Sequence, residues 1–272
     1  MFEKIIKFPL LIIFVCFFII NSSQAEILVW HDEFDYQGLP DSSKWDYEVG
    51  YVRNKELQYY KEASLDNSFV SDGVLTLRAI RHDDTRSMWD QLLGEEFIPV
   101  TSASLTTKGL SSWKYGRMEI RAKLPLGRGV WPAFWTLGEN ISSIRWPKCG
   151  EIDVMEFVGS TPRQIHGGVH FYDYKLGKKS KLIPLKGEKL FTDSPDKFHT
   201  YGIEWDEKEI RFFFDGRQWK KFNISTAGDT KNPFNKPHFI IINLAMGGAW
   251  AGTPSDDIYP VDYIIDYVRV YQ

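Results

Sequence analysis

The sequence contains almost no cysteine: only Cys16 and Cys149 occur among its 272 residues. Cys16 lies in the apolar N-terminal segment, so a mature chain that begins at Glu26 has one thiol and cannot close an internal disulfide. A domain of about 250 residues buries enough surface to fold without one. Cys149 has no neighbouring histidine or nucleophile motif, so we predict a small, partly buried structural side chain there rather than a catalytic thiol.

The sequence also has little net charge, −3 at pH 7, and its charges are interspersed. A nucleic-acid-binding surface needs a basic patch, so we expect no nucleic-acid partner. No linker rich in proline, glycine or serine divides the chain, and it has no repeat, which predicts one domain over residues 26–272. A sustained apolar period of 3.6 residues is missing as well, and this argues against a helical fold.

Long apolar runs are missing except at the N-terminus, where Lys4 and Lys7 precede the apolar segment 8–20. Ser23-Gln24-Ala25 then gives a small-x-small cleavage pattern, and the whole stretch predicts a secretory signal peptide over residues 1–25. The apolar segment is too short to cross a bilayer, which needs about 20 residues. We therefore expect a secreted protein, extracellular or periplasmic, with no membrane span in the mature chain.

What the chain does have is a succession of short β-type runs between turn signals. Val74–Ile80 alternates around Leu75 and Leu77 after a turn at Asp72-Gly73, and such runs predict an all-β sandwich. The polar stretch His82–Ser104 lacks alternation and is predicted to be a long loop, which at this length is either functional, as at a cleft rim, or disordered. Strands are predicted over Leu28–Trp30, Val74–Ile80, Gly116–Lys123, Glu151–Val158, Thr200–Trp205, Ile210–Phe214, Phe239–Leu244 and Tyr263–Tyr271.

The most informative segment is 151–157, in which three carboxylates interrupt an otherwise apolar strand pattern. A carboxylate in such a strand is costly unless it has a function. Strict alternation would place Glu151 and Asp153 on one face but would turn Glu156 toward the core. One extra residue at Met155, a β-bulge, puts the three carboxylates on one face and turns the apolar residues toward the core.

Three carboxylates on one strand face are typical of a glycosidase. A retaining glycosidase needs a nucleophile and an acid/base whose carboxyl groups lie about 5–5.5 Å apart. The α-carbons of Glu151 and Glu156 are expected to lie roughly 13 Å apart, and two long side chains that lean together over a curved strand close most of that gap. The alternative is a solvated strand face that carries acidic residues by chance.

Aromatic residues surround this segment. The chain is 15% aromatic and has ten tryptophans, which is compatible with a saccharide ligand because sugar-binding clefts use aromatic faces. Alternation puts Trp131 and Trp135 on one face of their strand, together with Ala133. Trp146 precedes the acidic strand, and Trp250 ends a glycine-rich loop. Each of these tryptophans is either a platform for a sugar ring or a core residue.

Further motifs accompany the acidic strand, namely Gly116–Pro125, Trp131–Trp135, Asn243–Trp250 and Asp266–Tyr271. With these motifs in this order, the sequence closely resembles glycoside hydrolase family 16, the laminarinase-like β-glucanases, from about Val29 to the last residue. The resemblance implies a concanavalin A-like β-jelly roll of two curved antiparallel sheets, with the cleft on the concave face. It also implies a retaining endo-β-glucanase that cleaves β-1,3-glucan, mixed-linkage β-1,3-1,4-glucan, or both.

The same resemblance implies that Glu151 is the nucleophile, Glu156 the acid/base and Asp153 an electrostatic helper between them, with no cofactor for catalysis. The chemistry agrees, because Glu151 must be ionised to attack the anomeric carbon and Glu156 must be protonated to donate to the leaving oxygen. Asp153 can hold Glu151 in place and keep the pKa values of the two glutamates apart. The sequence leaves open which carboxylate holds which proton.

The resemblance also assigns residues to the sugar chain, and we expect a monomer whose partner is a β-glucan polysaccharide or oligosaccharide. His170 is expected near the acid/base. The His166 and His170 spacing suits a metal on a helix, which the two glycines between them argue against. Lys55 and the run Tyr51-Val52-Arg53 depart from the family's pattern, so details of glucan recognition are expected to differ. The predicted substrate-binding residues are Asn54, Glu56, Trp131, Trp135, Trp146, His170, Asn243 and Trp250.

Members of this family often carry a structural Ca²⁺ on the convex side, away from the cleft. The matching positions here are Glu33, Gly73 and Asp266, with backbone oxygens contributing at least at the first two, and oxygen ligands suit Ca²⁺. Two other functions stay as alternatives: a related galactanase that acts on agar or carrageenan, and a catalytically inactive glycan-binding jelly roll. Trp131–Trp135 and Asn243–Trp250 favour glucan, and a pure binding module has no need of aligned carboxylates.

Overall fold

The structure of the protein is a computed structural model, and it describes residues 26–94, 96–174, 178–179, 183–185, 194–228 and 231–272. The predicted signal peptide, residues 1–25, lies outside the described residues. Within the described ranges, no helix is long and apolar enough to span a membrane. The helices of this part are short: Met88–Leu92 (α1), Ile141–Ile144 (α2) and Gly248–Ala251 (α3), with 3-10 turns at Ile224–Ala227, Pro233–Asn235 and Asp256–Ile258.

Strands make up most of the ordered elements. All eight predicted strands are confirmed, with ends that differ by at most two residues from the prediction. The strands are Leu28–Asp32 (β1), Asp46–Tyr47 (β2), Tyr59–Tyr60 (β3), Ser68–Ser71 (β4), Val74–Arg81 (β5), Val100–Ser102 (β6), Ser104–Thr106 (β7), Gly116–Lys123 (β8), Val130–Gly138 (β9), Glu151–Glu156 (β10), His166–His170 (β11), Tyr172–Asp173 (β12), Lys178–Lys179 (β13), Ile183–Leu185 (β14), His199–Trp205 (β15), Glu209–Phe214 (β16), Arg217–Asn223 (β17), His238–Met246 (β18) and Val261–Tyr271 (β19).

Two large sheets form the sandwich. The back sheet has the order β17-β16-β15-β8-β19-β5-β6-β3, with β1 also paired to β19 and β4 to β5. The cleft sheet has the order β14-β11-β10-β9-β18-β7-β2, and β12 and β13 form a separate ribbon. The described pairings are antiparallel except for β3 with β6, which is parallel. This is the all-β sandwich predicted from the strand pattern.

The core lies between the two sheets and follows from alternation. In β8, Met118, Ile120 and Ala122 are fully buried, whereas the charged residues between them stay partly exposed. Burial of a side chain such as Ile120 contributes about 1.5–3 kcal/mol. In the cleft sheet, β18 is buried along its whole length, because one face meets the core and the other face lies under the side chains of the cleft. This second layer, on the cleft side of the sheet, is what positions the site.

The predicted loop over His82–Ser104 is shorter than expected. Its last part forms β6 and the first residue of β7, and α1 interrupts the remainder. The strands were hidden because small polar residues fill them: Ser102 is fully buried and donates its hydroxyl to the carbonyl of Leu244 over 2.7 Å. Described residues of the loop between β5 and β6 do not line the cavity of the cleft sheet, but burial, followed by the nearby charge of Glu96, raises the pKa of Tyr51. The cleft-rim position stays a prediction.

The predicted β-bulge in β10 is confirmed, and the register locates it. Against β11, Asp153 pairs with Gly168 and Glu156 with His166, so two residues of β10 stand opposite Gly167 alone. Against β9 the pairing steps from Asp153 to Met155, which makes Val154 the residue without a partner, rather than Met155 as predicted. Both are buried in the core. The bulge therefore returns Glu156 to the cleft face, as the apolar pattern required.

Candidate active site

The carboxylate row faces a cavity of about 680 Å³ on the cleft sheet. Strands β9, β10, β11 and β18 contribute residues to its floor, and the loop between β2 and β3 contributes to one wall. The structure brings all of the predicted catalytic and substrate-binding residues to this one cavity. They are Glu151, Asp153, Glu156, Asn54, Glu56, Trp131, Trp135, Trp146, His170, Asn243 and Trp250.

Glu151 opens β10, and its carboxylate is held from two sides. The indole N–H of Trp146 donates to Oε2 over 2.8 Å. Nε2 of His170, the residue directly opposite on β11, lies 3.4 Å from Oε1 and 3.1 Å from Oδ2 of Asp153. An N–H donor stabilises the ionised form of a carboxylate. The Trp146 donor therefore favours the ionised form of Glu151, whereas burial and the charge of Asp153 raise the pKa of Glu151 to about 8.

Glu156 closes β10 on the far side of the bulge. The indole N–H of Trp131 donates to its Oε1 over 3.1 Å. Burial, followed by repulsion from Asp153 and Glu151, raises the pKa of Glu156 well above its ordinary value. A glutamic acid that keeps its proton near neutral pH is suited to general acid catalysis. Since Oε1 accepts the indole N–H, the other oxygen is left to carry the proton.

The three carboxyl groups cannot all be ionised together. Burial raises the pKa of Glu151 and of Asp153 as well, and the charge of Asp153 raises the pKa of Glu151 further. Glu151 accepts the indole N–H of Trp146, and Nε2 of His170 lies 3.1 Å from Oδ2 of Asp153. A hydrogen bond between the two carboxyl groups raises the pKa of Glu151 and lowers that of Asp153. The two carboxyl groups therefore share a proton, and nucleophilic attack by Glu151 needs that proton to lie on Asp153.

One group of side chains in the described residues has the geometry to hold a metal ion. Ligand atoms of Glu151, Asp153 and His170 lie within 4.8 Å of one another. This group is the nucleophile side of the carboxylate row itself, and its short distances follow from proton sharing and the His170 contacts. Two carboxylates and an imidazole in this arrangement are explained by acid–base chemistry without a metal.

The two histidines of β11 lie at opposite ends of the carboxylate row, and His170 is not at the end predicted for it. His170 was expected near the acid/base, but it lies beside Glu151 and Asp153. His166 is instead the cross-strand partner of Glu156, because antiparallel pairing runs the two strands in opposite directions. Its Nε2 is buried without a hydrogen-bond partner in the described ranges, and burial lowers its pKa. A neutral His166 therefore faces the cavity near the acid/base.

The loop between β2 and β3 carries Asn54 and Glu56 to the cavity wall. The Glu56 carboxylate accepts hydrogen bonds from Nδ2 of Asn54 (3.1 Å) and Nε2 of Gln58 (2.8 Å). Burial nevertheless raises the pKa of Glu56. Gln58 anchors the loop, because its side-chain oxygen accepts the backbone N–H of Met246 over 2.7 Å. The wall is thus tied to the end of β18, whose next loop holds Trp250.

Trp131 and Trp250 form the aromatic end of the cavity beside Glu156. Their rings meet edge to face, with centroids 5.1 Å apart, and His166 packs against Trp250 at 4.9 Å. Trp250 is 41% exposed, so it presents a free ring face. Trp146 is 46% exposed at the opposite end, beside Glu151. An exposed aromatic face at each end of the row suits a chain of sugar rings.

Trp135 and Asn243 form the floor between these ends. Nε1 of Trp135 donates to Oδ1 of Asn243 over 2.8 Å, and Nδ2 of Asn243 donates to the hydroxyl of Tyr60 over 3.0 Å. Trp135 is only 8% exposed, and the guanidinium of Arg53 covers its ring. The ring of Trp135 is therefore a supporting surface rather than an open platform.

Several residues at the cavity escaped the sequence analysis. The cavity is also lined by Glu48, Arg53, His166 and Ile141. These residues lie in the loop after β2, on the neighbouring strand β11 or in α2, where no local motif marks them. The one available signal was the departure of residues 51–53 from the family's pattern. Contact between Glu48, Arg53 and the floor depends on how the loop folds over the sheet, which spacing in sequence does not encode.

The remaining predicted positions lie elsewhere. Glu33 is bound by Arg269, whose Nε and Nη2 lie 2.9 and 2.7 Å from its carboxylate oxygens, and Asp266 pairs with Arg121. Gly73 adopts a positive φ of 75° in the turn between β4 and β5. Cys149 is fully buried, more completely than predicted, and burial raises the pKa of its thiol to about 11. Such a thiol is inert at neutral pH.

The fold and the site together define a class. A two-sheet β-sandwich carries paired glutamates on one strand face, one able to be ionised and one to be protonated, in a tryptophan-walled cavity. This arrangement of residues is typical of a retaining glycoside hydrolase. The family model of glycosyl hydrolases family 16 matches residues 55–269, and the chain belongs to this family.

Similar proteins and solved structures support that assignment. A beta-glucanase of Rhodothermus marinus is 43% identical over 258 residues, which cover 90% of this chain and 85% of that protein. The X-ray structure of the laminarinase from Rhodothermus marinus aligns with a TM-score of 0.77 at 41% identity, covering 91% of this chain and 98% of that chain. A mutant of SCLam, a non-specific endo-beta-1,3(4)-glucanase, aligns with a TM-score of 0.78 at 34% identity, covering 92% of this chain and 95% of that chain.

Proposed function

We propose that this protein is a retaining endo-β-glucanase that hydrolyses β-1,3-glucan, mixed-linkage β-1,3-1,4-glucan, or both. The observation that carries the proposal is the row of Glu151, Asp153 and Glu156 in one cavity, with an indole donor on each glutamate. The names of the relatives, which are glucanases and laminarinases, support a β-glucan substrate. The galactanase and the inactive glycan-binding module are not favoured.

In the first step, the Glu151 carboxylate attacks the anomeric carbon of the bound sugar. Glu156 gives its proton to the glycosidic oxygen, the bond from the anomeric carbon to that oxygen breaks, and the glycan on the reducing side leaves as an alcohol. A covalent ester joins the remaining sugar to Glu151. Trp146 holds the attacking carboxylate in place through its 2.8 Å hydrogen bond, which is the positioning that such an attack requires.

In the second step, Glu156 acts as a base. It takes a proton from a water molecule, the hydroxide oxygen attacks the anomeric carbon, and the ester to Glu151 breaks. Loss of the acid proton in the first step leaves Glu156 ionised in a buried setting, where its pKa is raised. That raised pKa makes it an effective base. Two displacements at one carbon return the original configuration.

The experiment that tests this proposal is product analysis of the purified protein on laminarin, lichenan and agarose. We expect oligosaccharides from laminarin and lichenan, and none from agarose, cellulose or xylan. Proton NMR of the first products should show the β-anomer ahead of mutarotation. Cleavage of agarose without laminarin would overturn the glucanase proposal but keep the mechanism, and an initial α-anomer would overturn the retaining mechanism.

The preference between the two glucans depends on the walls rather than on the carboxylates. Stacking one ring and binding its hydroxyls discriminates by only a few kcal/mol, roughly tenfold for each 1.4 kcal/mol. We therefore propose activity on both polymers, with the ratio of kcat/KM values as the measurement. Secretion after cleavage near Ala25 and a monomeric state are part of the proposal, and N-terminal sequencing and light scattering test them.

A structural Ca²⁺ at Glu33, Gly73 and Asp266 also stays a proposal. Arginines already neutralise both carboxylates, Arg269 at Glu33 and Arg121 at Asp266. In this arrangement the side chains do not offer the free anionic oxygens that Ca²⁺ prefers, so binding would depend on backbone oxygens. Calorimetry with Ca²⁺ on the chelator-treated protein tests it.

A further inference from the structure

Arg53 occupies a position in the cavity that the reaction described so far does not use. It lies in the loop between β2 and β3 and lines the cavity. Its guanidinium carbon lies 4.8 Å from the centroid of the Trp135 ring. Trp135 stands directly opposite Asp153 in the pairing of β9 with β10. The guanidinium is therefore placed beside the carboxylate row.

A carboxylate fixes the orientation of Arg53. Nη2 donates to both carboxylate oxygens of Glu48, and the hydroxyl of Ser104 donates to Oε2 of Glu48 over 2.7 Å. Only 20% of the Arg53 side chain and 21% of the Glu48 side chain are exposed. Stacking on Trp135 adds a cation–π contact below the guanidinium plane. Glu48 thus holds one edge of the Arg53 guanidinium and Trp135 holds one face. The guanidinium is therefore pre-organised for a ligand.

The other terminal nitrogen of Arg53, Nη1, has no such partner. Nη1 is buried and has no hydrogen-bond partner in the described part of the chain. A buried donor on a charged group is costly when it stays unpaired, and such an atom in a native structure calls for an explanation. An acceptor that arrives with the substrate provides one, because Arg53 lines the cavity that the glucan enters.

The charge of the pair indicates which acceptor this is. Glu48 balances the charge of Arg53, so the pair as a whole is neutral. A sulfate or carboxylate on the substrate would meet the Glu48 carboxylate close behind the guanidinium, and like charges repel. A sugar hydroxyl has no charge to be repelled, and its oxygen accepts a hydrogen bond from the polarised Nη1–H.

We propose that Arg53 is a specificity-determining residue that donates a hydrogen bond from Nη1 to a hydroxyl of the glucose unit adjacent to the cleaved one. The proposal rests on the glucanase function and names a recognition element within it. Trp135 then supports Arg53 instead of stacking on a sugar. The contact forms with an uncharged, correctly placed hydroxyl and selects against sugars that carry an anionic group there.

The test is a chain-length series of aryl β-1,3-oligoglucosides, from one to four glucose units, on the wild-type enzyme and on Arg53→Met. Met keeps an unbranched apolar stem over Trp135 but removes the donor. Each added glucose should raise kcat/KM of the wild type, and Arg53→Met should lose roughly 10- to 100-fold at the one added unit that reaches Arg53. The single-glucose substrate should be unaffected. Arg53→Lys should resemble Arg53→Met, because an ammonium that stays beside Glu48 has no second nitrogen at the position of Nη1.

Monodeoxy oligoglucosides make the test independent of folding, since they probe the wild-type enzyme. Removal of the recognised hydroxyl should cost the wild type the same factor, and Arg53→Met should show no further loss on that substrate. Arg217→Met, on the exposed edge strand β17, is the matched control and should leave all rates unchanged. An equal loss at every chain length, or additive losses for the variant and the deoxy substrate, would overturn the proposal. A wild type that cleaves neither glucan would instead overturn the proposed function itself.

Discussion

The indole nitrogen of Trp146 lies 2.8 Å from Oε2 of Glu151, so a half-exposed aromatic residue holds the proposed nucleophile. Trp131 makes the equivalent contact at the other end of the row, over 3.1 Å to Glu156. Each catalytic glutamate is therefore tied to a tryptophan on a different element. We propose that Trp131 and Trp146 both bind the substrate and position the carboxylates.

Trp146→Phe separates the two roles of Trp146. Phenylalanine keeps an aromatic face but has no N–H, and the N–H of Trp146 lowers the pKa of Glu151. Without it the pKa of Glu151 rises further, so the acid limb of kcat/KM should move to higher pH. We expect a shift of up to about one pH unit, since one unit corresponds to about 1.4 kcal/mol. The pH profile on laminarin measures this.

Trp250→Phe is the matched control for that experiment. Trp250 lines the same cavity, but in the described residues its indole makes no hydrogen bond to a catalytic carboxylate. Its substitution should change KM and leave the acid limb in place. An unchanged pH profile for Trp146→Phe, together with a raised KM, would show that Trp146 only binds sugar.

Substitution of either glutamate should abolish hydrolysis while the fold survives. Glu151→Gln and Glu156→Gln are nearly isosteric, and we expect losses of several orders of magnitude in kcat. Azide should rescue Glu151→Ala by attacking from the emptied side, with an α-glycosyl azide as the product. NMR of the azide adduct is the measurement, and a β-azide would reverse the roles assigned to Glu151 and Glu156.

Glu156→Gln should also stabilise the protein, and the gain should grow with pH. The folded-state pKa of Glu156 is raised above the unfolded value of about 4.3. A raised carboxyl pKa contributes stability that is fully present below the unfolded pKa and is lost as pH rises through the folded pKa. Glutamine does not titrate, so the stability of the variant does not fall with pH for this reason.

Thermal unfolding at pH 4 and pH 8 measures this effect. Each unit by which the pKa is raised corresponds to about 1.4 kcal/mol, and each kcal/mol to roughly 2–4 °C in Tm. The difference between Glu156→Gln and wild type should therefore be small at pH 4 and several degrees at pH 8. The exposed Glu207, changed to Gln, is the control. An equal difference at both pH values would contradict the buried, protonated state of Glu156.

Deletion of Met155 tests the bulge directly. The shortened strand would alternate regularly, with Glu151, Asp153 and Glu156 still on one face, because the extra residue is what the bulge absorbs. We expect the deletion to keep measurable glucan hydrolysis at lower stability. Met155→Ala, which should cost about 2–5 kcal/mol through the cavity it leaves, keeps the bulge and is the control. If the deletion variant folds but is inactive while Met155→Ala is active, the bulge does more than align the three carboxylates, and this explanation of their alignment is wrong.

The sequence by itself determined the strands, the acidic row and the need for a bulge. These are local properties, because alternation fixes which side chains share a face, and one carboxylate out of phase demands one extra residue. The sequence could not decide which residue of β10 is left unpaired at the bulge. Opposite β9 that residue is Val154 and not Met155. That choice depends on the register with β9, which is a property of two strands.

Tertiary structure alone decided the surroundings of the row. His166 faces Glu156 and His170 faces Glu151 because β10 and β11 run antiparallel, and the sequence gives no order for this pairing. Arg53 reaches Trp135 because the loop before β3 is anchored at Met246, far away in sequence. The pKa values of the glutamates likewise depend on burial by distant segments. Short-range periodicity encodes faces of strands, whereas contacts between strands and loops arise only when the two sheets pack.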